Sequence, residues 1–182
     1  AQLQKLLQAL AFQTGSEVSY NELSNTIGNI DSNTVEKYID LLEKTHVIYK
    51  LPALNRNMRN EIKKGKKYYF IDNGIRNVLI SNFAPFEFRL DKGALWENFL
   101  LSERMKRNHY ISAFPNTYFW RTHDQAEIDY IEEQDGVLHA YEIKWKETRS
   151  RFPASFLEAY PQHQTLLVNK ENYESFTGSD PE

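Results

Sequence analysis

Apolar residues recur at helical spacing at the start of the chain (Leu3, Leu6, Leu7, Leu10, then Phe12), which predicts an amphipathic opening helix. A second helix is predicted to begin after Ser19, whose hydroxyl can cap it while Glu22 reaches back, and to stop at Gly28. Leu23 and Ile27 form its apolar face. A third runs from Ser32 or Asn33 to Thr45, turning Val35, Tyr38, Ile39, Leu41 and Leu42 inward. The short connection Gly28-Asn29-Ile30-Asp31 makes the pair a helix-turn-helix. Residues 47–51 and 67–71 are strand-like in composition, so three helices followed by two strands predict a winged helix. A short helix over 75–80 follows, and residues 81–89 read as irregular or linking chain. The predicted domains are therefore 1–84 and 85–182.

In the second half the pattern predicts a helix over about 91–107, a strand near 118–121, a hairpin, a short helix over 154–159 and a buried strand over 164–168. Tyr118, Phe119 and Trp120 are expected to pack in the sheet rather than stack on bases. The hairpin can be read by counting. A two-residue Asp135-Gly136 turn pairs position 134 with 137, so paired positions sum to 271. Asp129 then faces Glu142, and Glu127 faces Lys144. Alternation puts Asp129, Glu142 and Lys144 on one face, and Ile128, Tyr130, Tyr141 and Ile143 on the other.

With 182 residues, 41% hydrophobic and 14% aromatic, the chain can build real cores. No apolar run approaches the roughly 20 residues of a membrane span. The absence of cysteine removes disulfides and thiol chemistry and fits a reducing compartment; a cytoplasmic location is expected. An opening helix with no methionine before it reads as the start of a fragment of a longer protein. The net charge of -3 hides an asymmetry. Residues 1–80 hold eleven Lys/Arg against eight Asp/Glu, and residues 81–182 hold eleven against seventeen. An acidic second half argues against gripping nucleic acid by net charge alone.

Two carboxylates beside one lysine are nevertheless the components of a metal-dependent phosphodiesterase. Hydrolysis needs oxygen ligands for a magnesium ion and a group that orients the attacking water. As cross-strand neighbours, Asp129 and Glu142 would have Cβ atoms about 5 Å apart and could share one ion, with Lys144 holding the water or a developing negative charge. Glu97 is a fourth candidate, a carboxylate on a helix that is apolar at nearly every angle. The alternative is an ordinary solvated face of an antiparallel sheet, furnished by a Glu127–Lys144 pair with Asp129 beside it.

Glu97 in a helix, then Asp129, then Glu142-x-Lys144 resembles the PD-(D/E)XK nuclease superfamily, whose core has the order αβββαβ. Over nearly the whole chain the sequence also resembles the C-terminal part of a prokaryotic AAA+-type ATPase family, a winged helix followed by a nuclease-like domain. The stretches that carry this are 69–74, 93–99, 119–122, 126–130 and 141–144. The resemblance implies a restriction-endonuclease-like domain over 85–182, with Asp129, Glu142 and Glu97 as metal ligands and Lys144 as the water-positioning group. It implies Mg2+ as cofactor if the site is active, and an N-terminal ATPase domain as partner. No Gly-x-x-x-x-Gly-Lys-Ser/Thr occurs here, so these residues alone should not bind ATP.

The third helix exposes Glu36, Asp40 and Glu43 against Lys37 and Lys44, a poor match to a phosphate-lined groove. The basic candidate for DNA or RNA is instead the stretch 50–67, with Arg56, Arg59, Lys63, Lys64, Lys66 and Lys67. A solvated loop, or a surface docked on the ATPase domain, would account for it equally. His123 is expected to be exposed on a loop. Two functions follow: a magnesium-dependent nuclease or nucleic-acid-binding module, or a catalytically inactive nuclease-like fold that serves the ATPase as an interaction or regulatory module.

Overall fold

The computed structural model describes residues 2–56 and 65–178. The chain is a mixed α+β protein that divides into two compact units, Ala1–Lys50 with Lys66–Ser102, and Leu51–Gly65 with Glu103–Glu182. No helix among the described residues is long and apolar enough to cross a membrane.

The first unit opens with α1 (Gln2–Phe12), α2 (Tyr20–Ile27) and α3 (Ser32–Lys44). The Ser19 hydroxyl accepts the Glu22 N–H at 3.4 Å, and Gly28 ends α2 with φ of 121°, a backbone state that glycine adopts without a Cβ clash. β1 (Ile48–Pro52) and β2 (Lys66–Phe70) form a two-stranded sheet, followed by α4 (Asn73–Leu79), whose N-terminal amides at Gly74 and Ile75 are capped by Asp72. Leu6, Leu10, Leu23, Ile27, Val35, Ile39, Ile48, Tyr68 and Phe70 make its core.

The stretch after α4 is irregular, as expected, but ordered. It contains a 3-10 turn at Phe86–Phe88 and is tied down by two nearly fully buried arginines. Arg76 donates to the Ala11 carbonyl at 3.1 Å and to Asp91 at 2.6 Å; Arg89 donates to both Asp91 oxygens, at 2.9 and 2.8 Å, and to the Asn82 carbonyl at 2.7 Å. The Arg89 hydrogen bond above all, with Arg76 in support, holds the Asp91 carboxyl far below the usual carboxylate range against the opposing effect of burial.

α5 (Lys92–Tyr110) is shared between the two units, which divide between Ser102 and Glu103. Its first half is fastened to the first unit by buried Asn98, which accepts the Phe70 N–H at 2.8 Å and donates to the Phe70 carbonyl at 3.0 Å. Its second half serves the second unit, where Arg104 and Asn108 meet Glu132.

The second unit is built on a four-stranded mixed sheet of β3 (Asn116–Arg121), β4 (Glu127–Gln134), β5 (Val137–Ile143) and β6 (His163–Val168), in the order β3-β4-β5-β6. The first two pairings are antiparallel, and β5 with β6 is parallel, joined through α6 (Ala154–Ala159). The β4–β5 turn has positive φ at both Asp135 and Gly136, as a type I′ turn requires, and the register runs from Gln134↔Val137 to Tyr130↔Tyr141. Every one of these pairs obeys the sum of 271 read from the sequence.

Trp120, Ile128, Ile131, Leu138, Ala140, Phe156 and Tyr160 form a core that includes α6. Tyr130 and Tyr141 meet Phe176 of α7 (Tyr173–Thr177), a helix absent from the sequence-based expectation, at ring separations of 6.2 and 4.9 Å. Phe119 and Trp120 are fully buried, as expected, and His123 is exposed.

Candidate functional site

β4 and β5 bring Asp129 and Glu142 to one end of their hairpin, immediately beyond the last paired residues, Tyr130 and Tyr141. There the Asp129 side chain takes over from the backbone. Its Oδ2 accepts the Ile143 N–H at 2.8 Å, which fixes the carboxylate and satisfies a buried donor at the end of the ladder. The next residue, Lys144, donates its own backbone N–H to the Val168 carbonyl of β6 at 3.0 Å, so its side chain leaves from an anchored backbone.

Lys144 Nζ stands 3.4 Å from Asp129 Oδ2 and 3.2 Å from Glu142 Oε2. Both carboxylates are buried, while Lys144 remains half-exposed. Burial, followed by the neighbouring Asp129 charge, raises the Glu142 carboxyl to about 7 despite the opposing attraction of Lys144. Burial works to lower Lys144, but Asp129 and Glu142 outweigh it and push the ammonium up to about 12. One lysine therefore faces two carboxylates and stays charged at neutral pH. Glu127, expected opposite Lys144, lies across from Arg121 on β3, with Arg121 Nε 3.8 Å from its carboxylate.

Glu97 belongs to the first unit and has a partner there. The Tyr69 hydroxyl of β2 donates to its Oε1 at 2.5 Å, and the Tyr69 ring stacks on Tyr49 at 5.5 Å. Gly15, at φ of 78°, leaves the Glu97 carboxylate its space: a Cβ there would stand 3.3 Å from Oε1. Burial and then the Glu97 charge hold the Tyr49 hydroxyl well above its ordinary pKa. A tyrosine hydroxyl thus accounts for a glutamate on a largely apolar helix. Among the described residues, no group of three or more His, Cys, Asp or Glu side chains is placed to hold a metal ion.

Of the basic candidates, Arg59, Lys63 and Lys64 lie outside the described residues. Arg56 is held by Glu133 through two hydrogen bonds of 2.6 and 2.7 Å. Lys66 lies over the Tyr20 ring, 4.1 Å from its centroid, and Lys67 is buried.

Glu132 is a buried charge outside the residues expected to form the site. Arg104 donates to its two oxygens at 2.9 and 2.6 Å, Asn108 donates at 2.6 Å and the Tyr130 hydroxyl at 3.0 Å. Burial would raise Glu132, and the Arg104 hydrogen bond and charge overcome it, leaving its pKa lowered. Alternation along β4 held the signal, since Glu132 shares its face with Tyr130, where a charge needs a buried partner; Ile128, expected on that face, is turned by the irregularity in the β3–β4 register into the core with Trp120 and Ile131.

Known proteins similar to this chain carry names that assign no activity. An uncharacterized protein of Haemophilus influenzae is 27% identical over 176 residues, which is 94% of this chain and 38% of that protein. Uncharacterized proteins of Mycobacterium bovis and Mycobacterium tuberculosis are each 28% identical over 155 residues, covering 82% of this chain and 33% of theirs. The chain thus spans between a third and two fifths of the length of the curated relatives it matches. No solved structure gives a significant match. Two family models match in succession: residues 1–85 match a domain of unknown function (DUF8612), and residues 92–180, which contain Asp129, Glu142 and Lys144, match another domain of unknown function (DUF4143).

Proposed function

We propose that Asp129, Glu142 and Lys144 form a divalent-cation-dependent phosphodiester-cleaving centre within the C-terminal part of an AAA+-type ATPase. The observation that carries this reading is the convergence of two buried carboxylates on one half-exposed lysine, 3.4 and 3.2 Å away. The donor set suits a magnesium ion, which takes one or two carboxylates and keeps several waters. Asp129 and Glu142 would hold it. When bound, such an ion supplies Lewis-acid polarisation of a phosphoryl oxygen and acidifies a bound water.

The chain's own residues contribute orientation and charge. Asp129 is aimed by the Ile143 amide, so little reorganisation accompanies binding at its carboxylate. Glu142, raised to about 7 by burial and by Asp129, gains most from a cation that relieves this repulsion. Lys144 keeps its proton at neutral pH and can pair with a phosphate oxygen or orient a water. Glu97, bonded to Tyr69, is not required by this reading. The order of three helices and two strands supports a winged helix, and the order β3-β4-β5-α6-β6 after α5 supports a restriction-endonuclease-like domain. The AAA+ assignment rests on the resemblance carried by the stretches named above; nucleotide binding would lie outside these 182 residues, which contain no P-loop.

The second reading is a non-catalytic module of the same ATPase. The excess of acidic residues over 81–182 and the pairing of Arg56 with Glu133 favour it, because both weaken a nucleic-acid surface. The deciding experiment is magnesium- or manganese-dependent cleavage of single- and double-stranded DNA and RNA, with Asp129→Ala and Lys144→Ala alongside. Cleavage by the wild type alone supports the nuclease. Equal cleavage by all three identifies a contaminant, and none in any of them favours the module.

A further inference from the structure

We infer that the segment between α4 and α5 is a built docking surface, and that its occupant is the rest of the longer polypeptide, the part that the relatives carry beyond this region. The segment combines order with apolar exposure. Asp91 is gripped by Arg76 and Arg89, Arg89 also holds the Asn82 carbonyl, and the Asn82 side chain accepts the Ala84 N–H at 3.2 Å. On this fixed backbone Phe83 is 70%, Phe88 80% and Leu90 104% exposed, with Val78 at the end of α4 also exposed. Single exposed apolar residues are common on any surface. Three large ones within eight residues, on a loop clamped by an arginine–aspartate–arginine network, are held out to solvent on an ordered backbone, as at an interface.

The occupant follows from the length of the relatives. This chain accounts for 38% of one and 33% of two others, so a body of protein larger than the chain itself is covalently attached to the matched region in each. Attachment gives a high effective concentration, under which a patch of three side chains suffices for docking that would be weak between separate molecules. Phenylalanines in such a patch fit an apolar face rather than a phosphate backbone. This inference is independent of the metal centre: loss of cleavage at Asp129 leaves it standing, and its failure leaves the centre standing.

Hydroxyl-radical footprinting tests it, comparing the 182-residue chain with the natural full-length polypeptide that contains it. Phe83, Phe88 and Leu90 are expected to be modified roughly fivefold or more slowly in the full-length protein, while the singly exposed Leu41 and Leu166 react alike in both. Equal rates for the three in both proteins would overturn the inference, as would a natural polypeptide that contains nothing beyond these residues. Protection that grows with the concentration of the 182-residue chain alone would assign the patch to a second copy and overturn it too.

Discussion

Asp129 accepts the backbone N–H of Ile143 across the β4–β5 hairpin at 2.8 Å, one step beyond the last paired residues. One carboxylate therefore closes the sheet and supplies half of the proposed metal centre. Asp129→Asn can keep an oxygen on the Ile143 amide and should retain the fold while weakening divalent-cation binding. Asp129→Ala orphans a buried donor and should cost about 1–3 kcal/mol of stability. Urea denaturation of both variants, in the absence of divalent ions, checks the contrast.

Glu142 predicts a pH dependence of definite sign. Its carboxyl is raised to about 7 in the folded protein by burial and Asp129, so between the ordinary carboxylate range and 7 the folded state binds the extra proton. This group's contribution to stability is fully present at low pH and is lost as pH rises through 7. Glu142→Gln should therefore melt a few degrees higher than the wild type at pH 8 and close to it at pH 4.5. A thermal melting series across that range reads the difference; a constant gap at all pH values would speak against the raised carboxyl.

Asp91 has the opposite sign. Its carboxyl lies far below the ordinary range because Arg89 and Arg76 hold it, so its stabilisation is present above about pH 4 and is lost as pH falls. Asp91→Asn should lower the melting temperature by several degrees at pH 7, with the gap narrowing as the wild type is acidified below about pH 4. The same melting series at low pH measures it.

Arg104 is the partner that makes Glu132 tolerable inside the second unit. Removing it as Arg104→Met leaves a buried carboxylate without its countercharge and should cost roughly 3–5 kcal/mol, whereas Arg104→Met combined with Glu132→Leu should recover much of the loss. Chemical denaturation of the single and double variants tests this, and equal losses in the two would contradict it.

The local features were legible in the sequence because they depend on short-range chemistry. Ser19 and Gly28 bound α2, and the Asp135-Gly136 turn specifies each pair down to Tyr130↔Tyr141. What could not be read depends on partners distant in the chain. Counting placed Glu127 opposite Lys144, but β3 also borders β4, and Arg121 stands beside Glu127. The hydrogen-bond partner of Glu97 is likewise distant: it is Tyr69, contributed by β2. The clamp on residues 81–89 is not legible either, because Arg76 and Arg89 are charged residues whose role appears only when Asp91 lies between them. α7 was missed because it is a single short turn whose Phe176 acts through Tyr130 and Tyr141.

The most direct test of the proposed centre is calorimetric titration of the metal-free chain with manganese at pH 7.5, beside Asp129→Asn. The proposal predicts one ion bound per wild-type chain, with affinity reduced roughly tenfold or more in the variant. Absence of binding, or equal binding by the two proteins, would contradict it.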